Sequence, residues 1–215
     1  MFCVITAGPT YEPLDDVRRL TNFSTGELGS RLAQYLAKRG HEITLFRSST
    51  AVARAPANLQ SVRSFTTTAD LQAQLKALAK QPVEALFHAA AVCDFAPGRI
   101  YEPTPDGRLL EVKARKIATG FRSLLVELQP TAKIIGHLRD WFPRALLVGW
   151  KYEPDGDRTS ALAKAEIQLQ ANRTNACVAN GPAYGLGFGL VRSGREPLHL
   201  KSRLELFQQL AGLIE

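Results

Sequence analysis

The chain is short of cysteine, tryptophan and long apolar runs, and each shortage removes a class of protein. Its three cysteines, Cys3, Cys93 and Cys177, make an odd set with no close pair, so neither a disulfide framework nor a zinc site is readable. Cys3 and Cys177 lie inside apolar runs as small buried hydrophobes, while Cys93 sits just past one, as core or as site lining. No stretch approaches the roughly eighteen uninterrupted apolar residues of a membrane span. The opening "MFCVITAG" also lacks the basic segment and longer apolar run of a signal peptide, which places the protein in the cytoplasm by default. Positive charge is in modest excess, net +7, and the acids are interleaved with the bases. Aromatics do not alternate with Lys and Arg as a stacking platform requires, so nucleic acid is not an expected partner, and anionic small molecules explain the bias equally well.

What is present is an ordinary globular composition, 45% apolar and 22% charged over 215 residues, read as a single domain spanning 1–215 with its own core. Short apolar runs at 2–7, 42–46, 61–65, 85–88, 145–149 and 176–179 read as strands covered on both faces. Amphipathic stretches at 26–38, 69–79, 131–141, 159–171 and 203–214 read as helices. That alternation predicts βαβ units and an open, mainly parallel sheet with helices on both faces. Between 94 and 130 the pattern changes: "RLLEV" and "SLLVEL" alternate in strand fashion around "KARKIATGFR", a hairpin-like excursion with a basic tip. A second excursion, "GFGLV…EPLHL", follows near the end.

The stretch "GPTYEPLDDVRRLTNFSTGELG", residues 8–29, separates the first strand from the first helix by far more chain than a turn needs. Ligands of open α/β sheets bind outside the carboxyl ends of the strands, and long connections there are usually functional. Gly8 ends the strand and Thr25, Gly26 and Gly29 open the helix, whose free N–H groups and dipole suit an anion, while the Ser24 and Thr25 hydroxyls can cap it or donate to a phosphate oxygen. A compact Gly-x-Gly-x-x-Gly is absent, the second strand ends in Arg47-Ser48 instead of an acid, and no Tyr-x-x-x-Lys pair is found. An NADP-dependent short-chain-type reductase is therefore the alternative and not the leading reading.

"ITAGPTYEPLDDVRRLTNFSTGELG", "HAAAVCDF", "KIATG", "LQPTAKII", "LLVGW" and "CVAN" occur in order over essentially the whole chain. Together they resemble the phosphopantothenoylcysteine synthetase (phosphopantothenate–cysteine ligase) family. The resemblance implies a Rossmann-like fold, usually a homodimer, acting in coenzyme A biosynthesis. It implies that the carboxylate of 4′-phosphopantothenate attacks the α-phosphate of CTP or ATP, and that cysteine then displaces the nucleotide monophosphate. Mg²⁺ would arrive with the triphosphate, since no dedicated carboxylate cage is visible. In many bacteria this unit is fused behind a flavin-dependent decarboxylase; a free-standing ligase without FMN is the expectation here. A non-catalytic nucleotide-binding relative is the second alternative.

By this resemblance Asn22 is the catalytic asparagine, its amide holding the acyl-nucleotide's carbonyl. Ala90 and Ala91 admit substrate close to the backbone, and Asp94 contacts the nucleotide near its sugar or metal. Lys116 is the flap lysine that neutralises charge at the α-phosphate, with Lys113 and Arg115 as the alternatives for that role in another register of the motif. Pro130, Thr131, Ala132 and Lys133 form a helix start on the nucleotide, with Thr131 as its cap, and Trp150 takes the place of an aromatic that packs on the base. Three departures bear on base recognition: Thr119 replaces a second flap lysine, Gln168 and Asn172 stand where CTP-using members carry lysines, and "GWKYEPD" looks like the eukaryotic form. The segment "APGRIYEPTPDGRLLEV" is an insertion of no derivable purpose.

Overall fold

In the computed structural model, which describes residues 1–54, 56–57 and 59–215, one wide sheet organises the chain. The first half runs β1 (Phe2–Pro9), β2 (Tyr11–Pro13), β3 (Arg19–Thr21), α1 (Glu27–Lys38), β4 (Glu42–Ser48), β5 (Ser61–Phe65), α2 (Thr68–Leu78) and β6 (Ala85–Ala91). Next come β7 (Phe95–Pro103), β8 (Leu109–Glu111), β9 (Leu125–Pro130), α3 (Ile134–Trp141) and β10 (Leu146–Tyr152). The elements α4 (Arg158–Ala171), β11 (Ala176–Asn180), β12 (Phe188–Arg192), β13 (Arg195–Leu200) and α5 (Arg203–Ala211) complete it.

The strand order is β13-β12-β11-β10-β6-β1-β4-β5, parallel from β11 to β5 and antiparallel only at β12 and β13. The chain enters at β1, winds outward through β4 and β5, and returns to β6 on the other side of β1. Connections therefore diverge between β1 and β6, which creates the crevice where open α/β sheets bind ligands. Successive residues of each strand serve opposite faces. Ile5, Leu45, Phe87 and Val148 pack under α1 and α5, whereas Val4, Phe46, Leu86 and Leu147 pack under α2 and α3. This is the Rossmann-like architecture that the alternating pattern predicts.

Most differences from that pattern lie where side chains or tertiary pairing override local periodicity. The helix expected over 131–141 begins only at Ile134, because Thr131 is already engaged: its hydroxyl donates to the Cys93 carbonyl and its N–H to that of Asp94, at 3.0 Å. Thr131 is thus a stitch between strand end and helix approach, not a helix cap. The helix expected to 214 stops at Ala211. The excursion is a three-stranded sheet, β8-β7-β9, instead of a hairpin, because the apparent insertion supplies β7, which pairs with both neighbours. The long opening loop folds back on itself as the small β2-β3 hairpin.

The loop's two ends meet through glycine. Gly8 has φ +93 and Gly26 φ +73; a Cβ on Gly8 would stand 2.7 Å from Ser48 Cβ, and one on Gly26 only 3.2 Å from Gly8 Cα. No other residue fits both the left-handed backbone and the space. Next to this contact, the buried Thr6 hydroxyl on β1 pairs with His88 Nδ1 on β6 at 2.9 Å and accepts the Ala90 N–H at 3.1 Å. Burial pushes the His88 imidazole from 6.5 down to about 4.

Two consequences are testable. Gly8→Ala combines strain with overpacking and is expected to cost roughly 2–5 kcal/mol of stability, read by urea unfolding. His88 is neutral when folded, so between its folded and unfolded pKa the unfolded chain binds the extra proton and stability falls as pH drops. The difference in unfolding free energy between wild type and His88→Leu is expected to shrink by about 3 kcal/mol from pH 7 to pH 4; a constant difference would contradict the neutral, buried assignment.

Candidate functional site

A cavity of about 1040 Å³ opens over the carboxyl ends of β6, β10 and β11, beside the switch point. Ligand pockets commonly run to roughly 300–1,000 Å³, so a nucleotide and a second compound fit together. Five segments shape it: the loop that leads into α1, the end of β6, the approach to α3, the end of β10, and α4.

On the first wall lie Asn22, Ser24, Thr25 and Gly26. The Asn22 Nδ2 donates to the Val92 carbonyl at 2.9 Å, which ties the loop to the strand end opposite and leaves the amide oxygen without a partner among the described residues. The Thr25 hydroxyl accepts the Glu27 N–H at 3.2 Å, and Gly26 in left-handed backbone is the residue from which α1 starts. Ala90 and Ala91, half-buried at the end of β6, open the floor, and the exposed Asp94 follows. Between them the Cys93 N–H donates to Thr10 Oγ1 at 2.8 Å and its thiol to the Thr10 carbonyl at 3.3 Å. Burial raises that thiol and outweighs the Thr10 hydrogen bond, so Cys93 stays protonated and is lining, not nucleophile.

The opposite wall carries Thr131, Ala132 and Lys133, with Trp150 half-buried on β10. No side chain caps α3; the Gly136 N–H donates to the Lys133 carbonyl at 3.0 Å, and the N–H groups of Ile134 and Ile135, both on the cavity wall, are left with the helix dipole to define what they attract. Cationic charge beside Lys133 comes from two residues that sequence reasoning missed, Lys151 and Lys164. Both converge on the buried Glu153: Lys151 Nζ lies 3.0 Å from one oxygen and Lys164 pairs with the other. Burial raises the Glu153 carboxyl, but the hydrogen bonds and charges of the two lysines prevail and hold it below the usual carboxylate range. A signal for Lys164 existed, since it stands four residues before Gln168 and eight before Asn172 on one face of α4, and all three line the cavity. Gln168 Nε2 donates to the Trp150 carbonyl at 3.1 Å, fixing that aromatic's strand beside the helix.

Three expected residues do not line the cavity. Gly8 is buried under Ser48 and Ala51, where its role is the close approach described above. Pro130 is exposed at the end of β9. Lys116 is exposed on the connection between β8 and β9, outside the cleft. Its neighbours, however, are strapped to the opening loop. Arg115 Nε meets Asp16 at 2.8 Å while its carbonyl accepts the Asp16 N–H at 2.8 Å; the Ile117 N–H donates to Asp15 Oδ2 at 3.1 Å and its carbonyl accepts Arg18 Nη2 at 3.1 Å. Burial raises the Asp15 carboxyl, yet the N–H groups of Ile117, Val17 and Arg18 outweigh it and keep it below the usual range. Lys116 has no ion-pair partner among the described residues, whereas Arg115 and Lys113 are paired with Asp16 and Glu111.

Comparison with known proteins places this geometry. The chain is 31% identical over 177 residues to the coenzyme A biosynthesis bifunctional protein CoaBC of Thermococcus kodakarensis, covering 82% of this chain and 40% of that protein. It spans between 40% and 50% of the full length of such curated relatives. The solved structure of the DNA/pantothenate metabolism flavoprotein from Streptococcus pneumoniae superposes with a TM-score of 0.85 at 24% identity, covering 100% of this chain and 98% of that one. A Cab2 mutant in complex with phosphopantothenate-cysteine reaches 0.75 at 19% identity, covering 99% and 85%. At those identities the likeness shows the shared fold. Residues 2–194, nearly the whole chain, match the DNA/pantothenate metabolism flavoprotein C-terminal domain, and the protein belongs to that family.

Proposed function

We propose that this chain is a ligase that joins 4′-phosphopantothenate to L-cysteine through an acyl-nucleotide formed with CTP or ATP. One observation carries the reading: the asparagine-bearing loop and the lysine-bearing flap, distant in sequence, are tied to each other at Asp15 and Asp16 beside a cavity sized for nucleotide and acid together. Membership in a family whose curated relatives include coenzyme A biosynthesis proteins, and the fold shared with a protein crystallised with phosphopantothenate-cysteine, support the substrates.

In the first step the pantothenate carboxylate attacks the α-phosphorus, the bond to the bridging oxygen breaks, and pyrophosphate leaves. The first turn of α3 and Lys133 receive the phosphates, and Lys116 neutralises the charge that develops when the flap moves over them. In the second step the cysteine amine adds to the mixed anhydride's carbonyl, held by the Asn22 amide, and the nucleotide monophosphate departs. Trp150 offers a face to the base. A divalent ion, Mg²⁺, would be held by the phosphates, waters and Asp94; no cluster of three ligating side chains exists among the described residues, which suits an ion carried in by the triphosphate. Neither step oxidises or reduces a substrate, so neither calls on FMN.

The protein acts in this reading as a cytoplasmic homodimer. On the β8-β7-β9 sheet Leu109 and Leu125 are exposed on one face and Leu110, Val126 and Leu128 on the other, apolar surface of which a second copy would cover one face, and among the described residues no helix is long and apolar enough to cross a membrane. NADP-dependent reduction and nucleotide binding without chemistry are the rivals.

Pyrophosphate release with 4′-phosphopantothenate, cysteine, Mg²⁺ and each triphosphate tests the reading. Lys116→Ala is expected to lose about 10²–10³ in rate of the first step. Asn22→Asp is expected to release pyrophosphate once and accumulate acyl-nucleotide, seen by mass spectrometry, with little amide formed. Absence of pyrophosphate and nucleotide monophosphate with the wild-type protein would overturn the proposal, and hydride transfer from NADPH would favour the reductase.

A further inference from the structure

His88 is the one histidine on the cavity wall, and the steps above leave it without a task. Its position is set by the sheet. It stands on β6 opposite Thr6 of β1 and Gly149 of β10 in register, on the face that α3 covers. Gly149 is bare for a reason: a Cβ there would stand 2.8 Å from Ile135 Cδ1 and 3.0 Å from Gln168 Nε2. The first turn of α3 therefore settles directly on the sheet beside the imidazole.

The hydrogen bonds assign the tautomer. Thr6 Oγ1 already accepts the Ala90 N–H, and Nδ1 of His88 is the one acceptor within reach of its hydroxyl proton among the described residues. The hydroxyl donates, Nδ1 accepts, and the ring proton sits on Nε2. Nε2 has no partner among the described residues. The residue is 6% exposed, and that exposure opens on the cavity it lines. A ring N–H without a partner on the cavity wall, beside a helix N-terminus that no side chain caps, describes one acceptor-shaped gap.

We infer that the Nε2–H of His88, together with the first-turn N–H groups of α3, binds a phosphate oxygen of the nucleotide, so that His88 is a phosphate-binding residue of this chain. The inference rests on the proposed function for the identity of the ligand class, a nucleoside triphosphate. The neutral ring suits the role, because it gives direction without adding charge to a wall that already carries Lys133, Lys151 and Lys164.

Two measurements on the intact chain test it. Calorimetric titration with CTP and with ATP, each with Mg²⁺, compares wild type, His88→Leu and His88→Gln, with circular dichroism confirming that each variant is folded. Loss of a hydrogen bond to a charged oxygen is expected to weaken binding at least about tenfold in His88→Leu. His88→Gln, which keeps an N–H near the place of Nε2, is expected to remain within about threefold of wild type, a rescue that a purely structural role would not produce. Imidazole ¹⁵N resonances are expected to show the Nε2–H tautomer and to move when triphosphate is added. Equal affinity of folded His88→Leu and wild type, or an Nδ1–H tautomer, would overturn the assignment while leaving the ligase reading standing. Failure of wild type to bind any triphosphate would sink both. Binding that depends on His88, without pyrophosphate release, would retain the phosphate site and remove the chemistry.

Discussion

The approach of two backbones at Gly8 and Gly26 is the contact on which the site depends. Where β1 ends, α1 must begin almost on top of it, yet the chain between them is long enough to form its own hairpin. With no Cβ at either position the loop closes on itself as a side branch, and α1 still packs on the sheet. The loop's outer part is then free to carry Asn22 to one side of the cavity and Asp15 and Asp16 to the flap. Closing a loop of this length costs little more than closing a short one, so the extra chain serves function at small thermodynamic expense.

Charge in the cavity follows a different logic. Lys151 and Lys164 are held by Glu153, a carboxylate buried where an unpaired charge would be costly. The pair of lysines compensates that burial, and Glu153 in turn fixes two flexible cations at the cavity wall before any ligand arrives. Preorganised cations of this kind favour an anionic ligand without the ordering cost that free lysines would incur. The helix start of α3 adds directional donors, and Thr131, by engaging the Cys93 and Asp94 backbones, keeps that start in place.

The flap stands apart, since its basic residue lies outside the cavity while the residues on either side are tethered to the opening loop. The tethers join the two segments that the proposed chemistry needs in different steps. Asp15 is the joint between them, its carboxylate gathering three backbone N–H groups from both.

Element order was legible in the sequence because strands and helices have different apolar periods, and the six core strands and five helices stand within a few residues of where those periods place them. The site's loops were legible too, since glycines and polar residues after an apolar strand mark the ligand end of a parallel sheet, and Asn22, Ala90, Asp94 and Lys133 all line the cavity. What local pattern does not encode is which strand lies beside which. Register across the sheet set His88 between Thr6 and Gly149, the packing of α4 brought Lys164 to Glu153, and pairing with β8 and β9 made β7 a strand out of an apparent insertion. Those outcomes depend on side chains far apart in the chain meeting only after the core has closed, and so only the tertiary structure decided them.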